Sequence, residues 1–120
     1  MATFQNKSSP GVQLVYEWVL GNAETGEAKA IGHFPDKSYA MCSTAWGGAT
    51  VVLQGNWDNS NSPDADGWLT LTETDNTTAI SNTSNSNGAI LENPVWIRPQ
   101  SSGGSGTSVK VVITAPMPRG

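Results

Sequence analysis

Apolar and polar residues alternate along much of this chain with a period of two, not 3.6. In residues 11–20, GVQLVYEWVL, Val12, Leu14, Tyr16, Trp18 and Leu20 occupy alternate positions. Val15 and Val19 partly fill the other face. Aromatic and β-branched residues in that rhythm predict a strand. Gly21-Asn22 ends it. The most helix-like stretch, residues 22–29, is short and is interrupted by Gly26.

Further strands are predicted over Ala28–Phe34, closed by Pro35-Asp36, and over Ser38–Ala45. Gly47-Gly48 reads as a two-residue hairpin turn leading to a partner strand, Thr50–Trp57. Val51, Leu53 and Trp57 share one side of that strand. Residues 58–67 form a turn-rich loop. Trp68–Glu73 alternates cleanly. Residues 74–88 are a polar connection or a pair of poor edge strands. Ala89–Leu91 is a short apolar run. Val95–Arg98, bounded by Pro94 and Pro99, predicts an edge strand, because proline cannot donate to a ladder. Residues 101–108 read as a flexible glycine-serine hairpin loop, and Val109–Thr114 as the last strand.

Eight strand candidates at this spacing predict an all-β fold. The expected architecture is an eight-stranded antiparallel jelly roll or β-sandwich, with a seven-stranded immunoglobulin-like sandwich as the alternative. Residues 11–114 make one domain. Residues 1–10 are expected to be a short flexible N-terminal arm, and 115–120 a C-terminal tail.

Composition agrees. The 120 residues include 13 Ser, 12 Thr and 10 Asn, while charged residues make only 13%. Helical bundles are rich in Ala, Glu, Lys and Leu instead. The net charge is −4, from 6 Lys and Arg against 10 Asp and Glu. Without a basic cluster, neither nucleic acid nor an anionic membrane is an expected partner. No apolar run approaches the length of a membrane-spanning helix. The polar start, MATFQNKSSPG, does not read as a secretion signal.

Candidate chemistry is sparse. One histidine, His33, and one cysteine, Cys42, give no zinc pattern. Cys42 lies mid-strand and is expected to be a small buried hydrophobe. His33, before Pro35, suits a turn. No serine elbow or phosphate loop is present, so neither an enzyme nor a cofactor is expected. No metal site is expected either. The nearest approach is Asp64, Asp66 and Glu73, which fall on positions three, five and twelve of an EF-hand spacing whose first position is Ser62. In a β reading, Glu73 rises up a strand away from that loop. Of the five tryptophans, Trp18 and Trp57 fit core faces. Trp46, at a hairpin tip, and Trp96, between prolines, either pack under loops or mark an interface.

The second half has an order that carries a resemblance: Gly55-Asn56-Trp57-Asp58, then Trp68–Glu73, then Trp96-Ile97-Arg98-Pro99, a glycine-rich turn at 101–105 and a valine-rich last strand. Upstream, Asp36-Lys37-Ser38 adds a turn before the third strand. This resembles small head decoration, or cement, proteins of tailed bacteriophages. The likeness covers about residues 12 to 114. It departs from the pattern in the longer loop at 59–63 and the Ser/Asn-rich insert at 82–87.

The resemblance implies a jelly-roll fold and a virion structural role. Such a protein, made in the host cytoplasm, sits on the capsid exterior and clamps neighbouring major capsid proteins. The implied partners are the major capsid protein and two further copies, as a homotrimer at local three-fold positions. Interface residues expected under this reading are Phe4, Trp46, Trp96, Arg98 and Arg119. Arg98 has a competing role, hydrogen bonding to nearby loop carbonyls. The alternatives are a tail, neck or fibre component and a carbohydrate-binding module, for which Trp46, Trp57 or Trp68 would present an exposed face.

Overall fold

The alternation at residues 14–20 is realised in the structure, a computed structural model. Leu14, Tyr16, Trp18 and Leu20 are buried, and Val15, Glu17 and Val19 face the other way, half-buried. The structure describes residues 3–9, 13–32, 34 and 36–116, and for 3–9 and 13 the backbone alone.

Ten strands form among these residues: β1 (Thr3–Ser9), β2 (Gln13–Leu20), β3 (Lys29–Ala30), β4 (Ser38–Ala45), β5 (Thr50–Asn56), β6 (Leu69–Thr70), β7 (Ser81–Asn82), β8 (Ser86–Ala89), β9 (Trp96–Ser102) and β10 (Ser108–Pro116). One sheet has the order β1-β2-β10-β4-β8. The other runs β3-β9-β5-β6, with β7 also on β5. Every pairing is antiparallel. The fold is therefore the expected all-β sandwich, with two more strands than the alternation marks.

The core lies between the sheets. Trp18, Leu20, Met41, Val109, Val111 and Ile113 meet Val51, Leu53, Leu71, Ile80 and Ile97, all essentially inaccessible to solvent. Each buried aliphatic side chain contributes about 1.5–3 kcal/mol relative to exposure. The indole of Trp18 keeps its polar end satisfied, donating to the Glu27 carbonyl at 3.0 Å.

Several expectations are corrected. Thr3–Ser9, read as part of a terminal arm, is an edge strand in register with β2, from Thr3↔Val19 to Ser9↔Gln13. TFQNKSS carries one apolar side chain, so no hydrophobic rhythm marks it. Its backbone completes the ladder of β2 instead. The last strand likewise extends to Pro116. Trp68–Glu73 contracts to β6 and two isolated bridges, Thr72↔Ala79 and Glu73↔Ile90.

Neither glycine turn closes a hairpin. Gly47-Gly48 makes a tight turn, with Ala49 N–H donating to the Trp46 carbonyl at 2.9 Å. It joins β4 to β5, which belong to opposite sheets. The 103–107 turn likewise carries the chain from β9 across to β10. The two crossings lock together: Ser105 N–H donates to the Gly47 carbonyl at 3.0 Å, and the Thr107 hydroxyl to the Trp46 carbonyl at 3.1 Å.

Strand β9 is interior, not an edge, despite Pro99. The Pro99 carbonyl accepts from Gly26 N–H at 2.8 Å, on the side away from β5. In a strand, a residue's N–H and C=O point the same way. The missing N–H of Pro99 therefore faces the irregular 21–28 segment and removes no bond to β5.

Candidate functional site

Two features concentrate aromatic and charged side chains. Both lie on the β3-β9-β5-β6 sheet or the loop beyond it.

The first is a ladder across the sheet's outer face. Register places Arg98 of β9 opposite Gln54 of β5. Arg98 Nε donates to the Gln54 amide oxygen at 2.9 Å, and its guanidinium carbon lies 3.9 Å from the centroid of the Trp68 ring. The Gln54 amide nitrogen donates to Gln100 at 3.2 Å, and Gln100 to the Thr25 hydroxyl at 3.1 Å. Burial of the half-covered guanidinium lowers the Arg98 pKa. The expected alternative for Arg98, bonds to loop carbonyls, is replaced by a side-chain amide and an indole face.

The second feature is the end of β5. Strand parity should send Trp57 inward with Val51, Leu53 and Gly55. Asn56 breaks that parity because its side chain is buried too. Its Oδ1 accepts from Asp58 N–H at 2.9 Å, and its Nδ2 donates to the Asp64 carbonyl at 2.7 Å. Asn56 thus clamps both ends of the 58–64 loop, and Trp57 is turned out, 46% exposed. This corrects the core placement of Trp57. Leu69 beside it is 61% exposed. Trp57 and Leu69 line one cleft of about 420 Å³ with Asn56, Asp58, Asp64 and Gly67. The loop wall is braced further: Trp96 Nε1 donates to the Asp58 carbonyl at 3.0 Å. Asp58 and Asp64 also accept from the N–H groups of Ser60 and Asp66, each at 3.1 Å.

The remaining expected site residues are dispersed. Trp46 is partly buried against the core, with its Nε1 donating to the Asn85 side chain at 2.7 Å. Trp96 is partly buried, as its bond to Asp58 requires. Phe4 lies in β1 with its backbone opposite Trp18, and its side chain falls outside the described residues. Arg119 and His33 also fall outside them. Asp64 and Asp66 stand in the loop, while the Glu73 carboxylate accepts from the Tyr39 hydroxyl at 3.2 Å. The structure does not gather these three, and among the described residues no group of three His, Cys, Asp or Glu could hold a metal ion.

Cys42 is exposed rather than buried, a further correction. Tyr39 and Met41 take the inward positions of β4, so Cys42 lies on the opposite face. Alternation alone cannot choose, since Ala40, Cys42 and Thr44 are as apolar as their neighbours.

Lys37 is a structural residue that the sequence pattern does not mark. It is 1% exposed. Its Nζ donates to the Phe34 carbonyl at 3.0 Å and to the Asn93 side chain at 2.6 Å. Burial lowers its pKa, partly offset by the charges of Asp36 and Glu92. A lone lysine beside Asp36 in a turn gives no hint of this in the sequence.

No protein-family model matches the chain. No curated protein matches it by sequence. Among solved structures it is similar to the SPBc2 prophage-derived protein YomS, with a TM-score of 0.56 and 13% identity over 92% of this chain and 100% of that one. It is also similar to a cupin domain from Bordetella pertussis Tohama I, with a TM-score of 0.54 and 10% identity over 98% of this chain and 94% of that one. At such identities the likeness concerns the fold, and it marks this sandwich as of the jelly-roll type.

Proposed function

We propose that this chain is a bacteriophage virion structural protein, and specifically a capsid decoration protein. In this reading it binds the outer surface of the head and holds neighbouring major capsid proteins together, as a homotrimer at local three-fold positions. The observation that carries the reading is the whole-length likeness to a prophage-derived protein, 92% of this chain on 100% of that one. The order of motifs from Gly55 to the last strand supports the narrower role.

The surface chemistry is compatible. A Ser-, Thr- and Asn-rich exterior resists non-specific association, and contact is left to a few large side chains. Cyclic closure of a trimer requires each subunit to offer two different patches. The two patches we assign to that closure are the Trp57 end of one sheet and the β1 edge of the other.

The test is to add purified protein to expanded heads assembled without it and to measure co-sedimentation and head stability. Saturable binding that raises the temperature of head disruption supports the reading. Binding to tails alone would assign the protein to the tail or neck instead.

A further inference from the structure

We propose that the cleft at Trp57 receives the basic side chain of a protein partner, an arginine guanidinium or a lysine ammonium. The inference does not depend on the virion reading, since it concerns a site on the isolated chain.

Three observations converge on it. First, the cleft joins two of the largest exposed apolar side chains, Trp57 at 46% and Leu69 at 61%, to two acidic residues, Asp58 and Asp64. Lysine and arginine combine an apolar stem with a charged head, which is the same pairing in reverse. The stem suits Leu69, and the head suits the indole face and the carboxylates.

Second, the carboxylates are uncompensated. Among the described residues, Lys29 pairs with Glu27 and Lys110 with Glu17, while Lys37 is buried and Arg98 lies on Trp68. Among the described residues no lysine or arginine lines this cleft. A neutral ligand entering it would strip water from two anions without replacing it, whereas a cation offsets that cost. This favours a basic side chain over a saccharide, even though an exposed tryptophan suits both.

Third, the cleft is preorganised. The buried side chain of Asn56 holds both ends of the 58–64 loop, and Trp96 pins Asp58 from behind. A partner therefore has little loop ordering to drive. The same molecule already shows the recognition mode, in the packing of Arg98 on Trp68.

The test uses the purified full chain and N-acetyl-arginine amide and N-acetyl-lysine amide as probes, followed by NMR of the tryptophan indole N–H signals. The expected result is a saturable shift of the Trp57 signal at millimolar probe, weakened by salt and absent with N-acetyl-glutamate amide. Trp57→Ala should abolish the response. Asp58→Asn with Asp64→Asn should weaken it by about tenfold, since the asparagines keep the loop's acceptor oxygens and remove the charge. An unchanged response in the double variant overturns the proposal. So does a saturable response to methyl glycosides with none to either basic probe, which would assign the cleft to saccharide.

Discussion

The guanidinium of Arg98 lies 3.9 Å from the ring centroid of Trp68, across a sheet from the strand that carries it. The pair ties the end of the long acidic loop, where Trp68 stands, to interior strand β9. Arg98→Ala removes the stacking and the bond to Gln54 together. The expected loss is about 1–3 kcal/mol, from a cation–π contact worth about 0.5–2 and a hydrogen bond worth about 1. Arg98→Lys should recover part of it, and urea midpoints compare the three proteins.

The crossing at Gly47 should tolerate no side chain. Its φ is +59°, and a Cβ there would collide with the Ser105 carbonyl oxygen. Gly48 has φ +81° but open space around it. Gly48→Ala should therefore cost about 1–2 kcal/mol of backbone strain, and Gly47→Ala clearly more. Equal losses in a chemical unfolding series would mean that the contact between the two crossings contributes nothing.

Asn56 should matter more than its polar character suggests. Asn56→Ala leaves the Asp58 N–H without its partner, removes one of the two donors to the Asp64 carbonyl, which keeps only the Gly67 N–H, and opens a small void. A loss of about 2–4 kcal/mol is expected. Limited proteolysis should then cut first within residues 58–66, at a protein concentration where the wild type stays intact.

Lys37 should impose a pH dependence of defined sign. Its folded pKa lies below the ordinary lysine value of 10.5. In the window below that value the unfolded chain binds more protons than the folded one, so stability rises with pH through it. Tyr16 acts in the opposite sense, since burial raises its pKa above the ordinary 10.0 and its contribution is lost above that pH. Lys37→Met should flatten the rise below pH 10.5 while leaving the fall due to Tyr16. Unfolding free energies measured from neutral to alkaline pH give both slopes.

Cys42 should react with a maleimide in the native protein, without denaturant, because it is exposed on β4. Cys42→Ser should change stability by no more than about 0.5 kcal/mol. Labelling that waits for unfolding would contradict its outward placement.

These residues also show what a sequence can convey. A strand with one clearly apolar face, such as β2, is legible to within two residues at each end, because period-two alternation is the folding signal itself, whereas β4 is legible in its extent but not in which face it buries. Strand β1 is not, since a polar edge strand is held by backbone bonds that carry no side-chain signature. The two glycine turns reveal their tightness but not their destination, because a tight turn can join strands in one sheet or across two. Trp57 departs from its strand parity through a single event one residue earlier, the burial of Asn56, which depends on a loop that closes only in three dimensions. Trp46, Trp96 and Arg98 are unusual positions in the sequence, and in the structure their indole and guanidinium groups are engaged within the fold.

The capsid decoration reading is tested most directly by counting copies of this chain in purified phage particles, by quantitative mass spectrometry against the major capsid protein. A decoration protein at local three-fold positions is expected at a copy number that is a simple ratio of the capsid subunits. A handful of copies per particle, or none, would contradict it.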